Sequence, residues 1–220
     1  MAEGSGLGVQ MANLITLLRL LLLCLLVAMA YWASPAVQLA SAPLLVLIIA
    51  LDGLDGYVAR RLGEVSVFGS IFDVVADRVV ENVLWLVLGD LGLVPMWVAI
   101  VFLVRGAVVD TIRYTSRKPG TTVFGMMSSP WGQFIVGGRL MRGLYGTVKA
   151  LTFGWVLFCQ PWPVLEPAVW DKWAPMAEAV TMTLVIASVV LCLVRGLPVV
   201  IEFVIGHSMI GRLQVSFRSR

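Results

Sequence analysis

The sequence predicts an all-α polytopic membrane protein with six transmembrane helices and both termini cytoplasmic, on three observations. Of its 220 residues, 60% are hydrophobic and only 13% are charged, and the mean hydropathy is +0.94; soluble domains carry about 25% charged residues. The apolar residues gather in six runs of about 20, the length that crosses a bilayer. Lys and Arg collect at one set of run ends, as cytoplasmic flanks do. A water-soluble globule is excluded. Sixteen basic against 13 acidic residues leave a net charge of +3, too small an excess to mark a nucleic-acid surface.

The first run, residues 14–32, follows Asn13 and carries Arg19 ahead of an almost unbroken Leu stretch. Its core at 20–27, followed by Ala28-Met29-Ala30, has the outline of a signal peptide. Only Arg19 against Glu3 precedes that core, so the run reads as a retained helix. Runs two, three and four cover 43–62, 69–88 and 93–113, each punctuated by Gly or Pro. The Gly-, Ser- and Thr-rich stretch 114–138, with Met126, Met127, Trp131 and Phe134, reads as a cytoplasmic interfacial loop. Runs five and six cover 139–158 and 176–197, and 198–220 reads as a tail. With no internal repeat, 1–220 reads as a single membrane domain opened by a short segment, 1–12.

With the N-terminus inside, Arg60, Arg61, Arg113, Arg117, Lys118, Arg139, Arg142, Arg195, Arg212, Arg218 and Arg220 all fall on the inner side, and the outer segments keep only Lys172. Asp90, Glu166, Asp171 and Glu178 lie outside, where Trp162, Trp170 and Trp173 suit an interfacial belt. Cys24, Cys159 and Cys192 stand far apart in apolar surroundings beside a single His in the chain, which disfavours zinc and disulfides. Any metal here would be held by oxygen.

The chemistry sits between runs two and three. Asp52 and Asp55 are three apart at the end of one helix, and Asp73 and Asp77 four apart at the start of the next, so each pair projects from one helical face. Ionised carboxylates in membrane helices cost a few kcal/mol each and repel one another. Two Mg²⁺ or Mn²⁺ ions would relieve both penalties and would bridge the oxygens of a diphosphate. Gly56 leaves room for close approach, Ala59 is small one turn after Asp55, and Arg60 can fork onto phosphate oxygens. A carboxylate such as Asp77, able to take a proton from an attacking hydroxyl, completes the outline of phosphoryl transfer to an alcohol at the inner face.

The pattern Asp52-x2-Asp55-Gly56-x2-Ala59-Arg60-x8-Gly69-x3-Asp73-x3-Asp77 resembles the complete signature of the CDP-alcohol phosphatidyltransferase family, eight fixed residues over 26 positions. The resemblance implies that Asp52, Asp55, Asp73 and Asp77 bind two metal ions and that Asp77 is also the general base. It implies too that Gly56, Ala59, Arg60, Gly69 and Ser66 line the CDP group. The segment Asn13-Leu-Ile-Thr16-Leu-Leu-Arg19 is similar to the Asn-x2-Thr-x2-Arg start of the first helix in bacterial members, where it borders the nucleotide; Ala12 stands where a Pro commonly precedes that Asn. The implied reaction moves a phosphatidyl group from CDP-diacylglycerol to a small polar alcohol and releases CMP, in a homodimer of the bacterial plasma membrane whose active site faces the cytoplasm.

Arg105 and Arg113 on the fourth run, with Arg139, Arg142 and Lys149 on the fifth, form a basic strip suited to a phosphorylated acceptor. It favours glycerol 3-phosphate, then inositol phosphate, then an unphosphorylated alcohol such as serine; the competing reading is that these are topology charges beside anionic headgroups. For the four Asp the alternatives are ion pairing with Arg60, Arg61 and Arg78, or the path of an ion or proton transporter. Arg78 and Glu81 are expected to pair with each other, and His207 to be exposed.

Overall fold

The computed structural model describes residues 5–62, 67–115 and 138–218, with side chains for 13–54, 69, 71–112, 138 and 140–205. Among these residues all regular structure is helical: α1 Ser5–Trp32, α2 Pro35–Gln38, α3 Ser41–Leu62, α4 Val67–Asp90, α5 Met96–Thr115, α6 Arg139–Cys159, α7 Trp162–Leu165 and α8 Pro167–Arg218. The six apolar runs fall on α1, α3, α4, α5, α6 and α8. Ser66 and the expected loop at 114–138, apart from residues 114, 115 and 138, lie outside the described residues.

Among the described residues three stretches are long and apolar enough to cross a membrane, Asn13–Trp32, Pro35–Leu54 and Pro167–Ile205, and the chain is an integral membrane protein. At 24, 20 and 21 residues α4, α5 and α6 have comparable length. What separates them is charge: Asp73, Asp77, Arg78 and Glu81 on α4, Arg105, Asp110 and Arg113 on α5, and Arg139, Arg142 and Lys149 on α6. Residues 198–218, which the sequence reads as part of a tail, continue α8 past Pro198. Val199, Val200 and Phe203 supply an apolar stripe that packs on Val109 and Ile112, which is reason enough for the helix to go on.

Contacts among the helices form two compact units. The first comprises Met1–Ala99 and Ala150–Val185, the second Ile100–Lys149 and Ile186–Arg220. In the first unit α1 packs on α3 and α4. Its buried positions Thr16, Arg19, Leu23, Leu26 and Ala30 recur every three or four residues, while Leu14, Leu17, Leu18, Leu21 and Leu25 point outward, as expected of a helix with one protein-facing stripe in lipid. On α3 the buried stripe is Ser41, Leu45 and Ile48, and Asp52 continues it one turn later. Lipid is as apolar as Leu, so association rests on close packing and interhelical hydrogen bonds rather than on water exclusion. The fully buried Trp85 accordingly sits edge-on to Phe153, with ring centroids 4.6 Å apart.

The far end of this unit is pinned by polar contacts. Tyr31 Oη donates to Asp90 Oδ2 at 2.6 Å, and the Ala30 carbonyl accepts from Gln160 Nε2 at 2.8 Å and Gln38 Nε2 at 3.2 Å. Helix α4 ends in a Schellman arrangement: Leu93 N–H bonds the Leu88 carbonyl and Gly92 N–H the Gly89 carbonyl, with Gly92 at φ +70°, where a side chain would be strained. That sharp stop turns the chain into α5.

In the second unit the buried Val109, Ile112 and Val199 form the apolar contact between α5 and α8. Gly196 allows a close approach there. A Cβ at this position would come within 2.8 Å of Arg105 Nε and 3.0 Å of its Cγ, so the bare backbone lets the Arg105 stem lie across α8.

Candidate active site

The carboxylates predicted to act together are brought together. Asp52 from the middle of α3 and Asp73 and Asp77 from the first half of α4 offer carboxylate oxygens that all lie within 4.8 Å of one another. Asp73 and Asp77 are one helical turn apart, which puts both on one side of α4. Asp55 lies on α3 three residues after Asp52, and its side chain is outside the described ones, as are those of Ala59 and Arg60; Gly56 belongs to the same helix segment. Gly69 is half-buried in the first turns of α4.

A fourth group joins the cluster from α1. Arg19 Nη2 lies 2.6 Å from Asp52 Oδ1 and 2.9 Å from Asp77 Oδ1, and Nη1 lies 3.4 Å from Asp73 Oδ1. One guanidinium therefore ties two helices to a third. The Arg19 side chain keeps only 3% of its surface exposed, whereas Asp52, Asp73 and Asp77 keep 41%, 43% and 52%. The carboxylates are held from the protein side and remain open on the other. Thr16, one turn before Arg19 on the same stripe, is buried, and Asn13 is half-buried.

The donor set fits a hard divalent cation. Carboxylate oxygens on opposite sides of a Mg²⁺ lie about 4.2 Å apart, twice its 2.0–2.1 Å bond. The oxygens here, all within 4.8 Å of one another, are near enough to share one such ion. The exposed sides of the carboxylates leave positions for a phosphate ligand.

Sequence reasoning expected Arg60, Arg61 and Arg78 as the alternative partners of these acids. Arg78 instead pairs with Glu81 at 3.0 Å, as expected from their spacing. Among the described residues a cation that reaches the acids is Arg19, whose place on the first helix was read only through its likeness to a nucleotide-bordering segment; the side chains of Arg60 and Arg61 lie outside those residues. An Arg inside a Leu stretch was the available signal.

The second unit collects positive charge on one aromatic ring. Tyr145, 6% exposed on α6, has Lys149 Nζ 4.2 Å from its ring centroid, Arg195 Cζ at 5.0 Å and Arg105 Cζ at 6.0 Å. Arg105 and Lys149 of the predicted basic strip thus meet here, and Arg142 is exposed on α6. The side chains of Arg113 and Arg139 are outside the described ones. Tyr145 and Arg195 were missed as members: Arg195 reads from sequence as one more inner-side charge, yet it is only 9% exposed within an apolar stretch of α8.

Membrane helices of the first unit thus carry a carboxylate cluster that could hold a divalent cation. The chain belongs to the CDP-alcohol phosphatidyltransferase family, whose sequence model matches residues 9–206. It is 28% identical over 151 residues to the CDP-diacylglycerol–glycerol-3-phosphate 3-phosphatidyltransferase of Bacillus subtilis, covering 60% of this chain and 78% of that protein. To the protein of the same name from Pseudomonas fluorescens it is 32% identical over 151 residues, covering 66% of this chain and 76% of the relative. A probable phosphatidylglycerophosphate synthase of Mycobacterium tuberculosis is 28% identical over 126 residues, 56% of this chain and 58% of that one.

Proposed function

We propose that this protein transfers the phosphatidyl group of CDP-diacylglycerol to glycerol 3-phosphate and releases CMP. The observation that carries the reading is the convergence of Asp52, Asp73 and Asp77, the family's motif residues, on one point. The relatives named for transfer to glycerol 3-phosphate support the choice of acceptor. The Arg105, Lys149 and Arg195 group around Tyr145 supports a phosphorylated one.

The reaction forms one bond and breaks one. The acceptor hydroxyl oxygen bonds to the phosphorus that bears the diacylglycerol, the bridging P–O bond to CMP breaks, and the hydroxyl proton passes to Asp77. Among the three clustered carboxylates Asp77 has the most exposed side chain, which suits it to meet a substrate hydroxyl. Asp52, Asp55, Asp73 and Asp77 would hold two Mg²⁺ or Mn²⁺ ions, which supply charge neutralisation for the diphosphate and the departing CMP. Gly56, Ala59, Arg60, Ser66 and Gly69 would line the CDP moiety together with Asn13 and Thr16. Arg105, Lys149 and Arg195 would bind the acceptor's phosphate, with Arg113, Arg139 and Arg142 adding to the local positive potential.

Residues 1–220 are read as one functional domain, on the extent of the family match. In the bilayer α1, α3, α4, α5, α6 and α8 would make six crossings with both termini and the carboxylate cluster on the cytoplasmic side of a bacterial plasma membrane. The skew of Lys and Arg toward that side supports this orientation. On family resemblance the working unit is a homodimer.

The test is CMP release by the purified, detergent-solubilised protein supplied with CDP-diacylglycerol, Mg²⁺ or Mn²⁺, and glycerol 3-phosphate, inositol phosphate, inositol or serine in separate reactions. Release with glycerol 3-phosphate is expected. Release only with another acceptor overturns the assignment of substrate and leaves the chemistry; no binding of CDP overturns the chemistry as well.

A further inference from the structure

We propose that Arg19 is the resident counter-ion of the carboxylate cluster, holding Asp52, Asp73 and Asp77 assembled and yielding to the divalent cation by exchange, so that it sets how tightly the cation binds. The inference rests on the reading that these carboxylates hold the cation.

The geometry makes the guanidinium and a cation rivals for one place. Arg19 Nη2 lies between Asp52 Oδ1 and Asp77 Oδ1, at 2.6 and 2.9 Å. A divalent ion coordinated by both oxygens would sit about 2.1 Å from each, in the gap that Nη2 fills. An ion that takes both of these oxygens therefore requires the guanidinium to withdraw from at least one carboxylate.

Electrostatics sets the direction of the effect. Three carboxylates whose oxygens lie within 4.8 Å of one another would, when all ionised, carry three negative charges, of which Arg19 cancels one. Like charges so close repel in a poorly screened setting, and a cation on a third helix lets α3 and α4 approach at this end. The same cation lowers the attraction for an incoming divalent ion. Arg19 thus steadies the cluster before loading and weakens the loaded state. Placing it on α1, on the buried stripe shared with Thr16, Leu23 and Leu26, fixes the guanidinium's starting point, and its long stem gives it the reach to move aside.

Arg19 is a positioning residue in this account, and the sign of one measurement separates the account from a plain packing role. Removing a residue that merely props up the site weakens cation binding. Removing a competitor strengthens it. The experiment measures Mn²⁺ binding by electron paramagnetic resonance, and melting temperature with Mn²⁺ or with chelator, on the full chain in detergent for wild type, Arg19→Gln and Arg19→Lys. Expected for Arg19→Gln is Mn²⁺ affinity higher on the order of tenfold, a lower melting temperature in chelator, and a Mn²⁺-induced gain that exceeds the wild-type gain by about 5 °C. Arg19→Lys, which keeps one positive charge and loses the fork, falls between the two.

Equal or weaker Mn²⁺ binding by Arg19→Gln overturns the proposal. If that variant does not fold, Arg19→Lys decides by the same criterion. Folded wild type and variant that both fail to bind Mn²⁺ overturn the reading of the metal site, and the exchange falls with it.

Discussion

Each of the two compact units buries charge in an apolar helical framework, and they do so in opposite ways. In the first, acids from α3 and α4 meet one cation from α1, and opposite charges close at 2.6 to 3.4 Å. In the second, three cations from α5, α6 and α8 gather on the face of one tyrosine. Opposite charges at contact distance fix a geometry. Like charges around an aromatic ring concentrate potential, which is what a site for an anion requires. On the proposed function the first arrangement would position and the second attract, and substitutions in the two should fail differently.

The largest effect belongs to the acids. Asp77→Asn keeps the size of the side chain and removes its capacity to accept a proton, so CMP release should fall by about 10²–10⁴-fold. Measured by CMP release at saturating substrates, this is a loss in kcat. Asp77→Asn activity within tenfold of wild type would remove Asp77 from the role of base and blur the contrast with the second unit. Chelation should abolish release in the wild type, with recovery on adding Mg²⁺ or Mn²⁺.

A smaller and different loss is expected in the basic group. Arg105→Met keeps much of the stem and deletes the charge, and should raise KM for glycerol 3-phosphate about tenfold, the scale of one charge-assisted contact. KM for CDP-diacylglycerol should hardly move. An equal rise in both constants would mean that Arg105 does not discriminate between the substrates. Gly196→Ala asks the same question without touching a charge, because the new methyl would meet Arg105 Nε at 2.8 Å and Cγ at 3.0 Å and push the side chain from its resting place. A rise in acceptor KM of about threefold, in the same direction as Arg105→Met, is expected from such displacement.

Much of this was legible in the sequence, for identifiable reasons. Apolar run length is set by the bilayer, so runs at 14–32, 43–62, 69–88 and 139–158 all lie inside the observed helices. The carboxylates were legible because an acid in an apolar helix is expensive and must serve something. Local pairs such as Arg78 and Glu81 follow from spacing along one helix. What spacing does not encode is which helix faces which. Arg19 lies 54 and 58 residues before Asp73 and Asp77 in the chain, and nothing in its own helix announces those partners. The same holds for Arg195 and Tyr145, whose meeting depends on the packing of α6 with α8. Helix α8 outran its expected end at 197 because the residues beyond Pro198 find an apolar surface on α5, a tertiary reward that overrides a local break.

The smallest effect sharpens the comparison from the other end of α1. Tyr31 and Arg19 share that helix, twelve residues and about 18 Å apart, and each reaches a carboxylate of α4. Tyr31 Oη donates to Asp90 Oδ2 in an exposed position, where water replaces a lost partner at little cost. Tyr31→Phe should therefore lower the melting temperature by about 2 °C or less and leave both CMP release and Mn²⁺ affinity unchanged. The contrast with Arg19 lies in burial rather than in the kind of partner, since both side chains bond an Asp on the same helix. A change in Mn²⁺ affinity on Tyr31→Phe would mean that the register of α1 against α4 is set from the far end and transmitted to the carboxylates. The exchange at Arg19 would then be one part of a motion of the whole helix, and its energetics could no longer be assigned to the guanidinium alone.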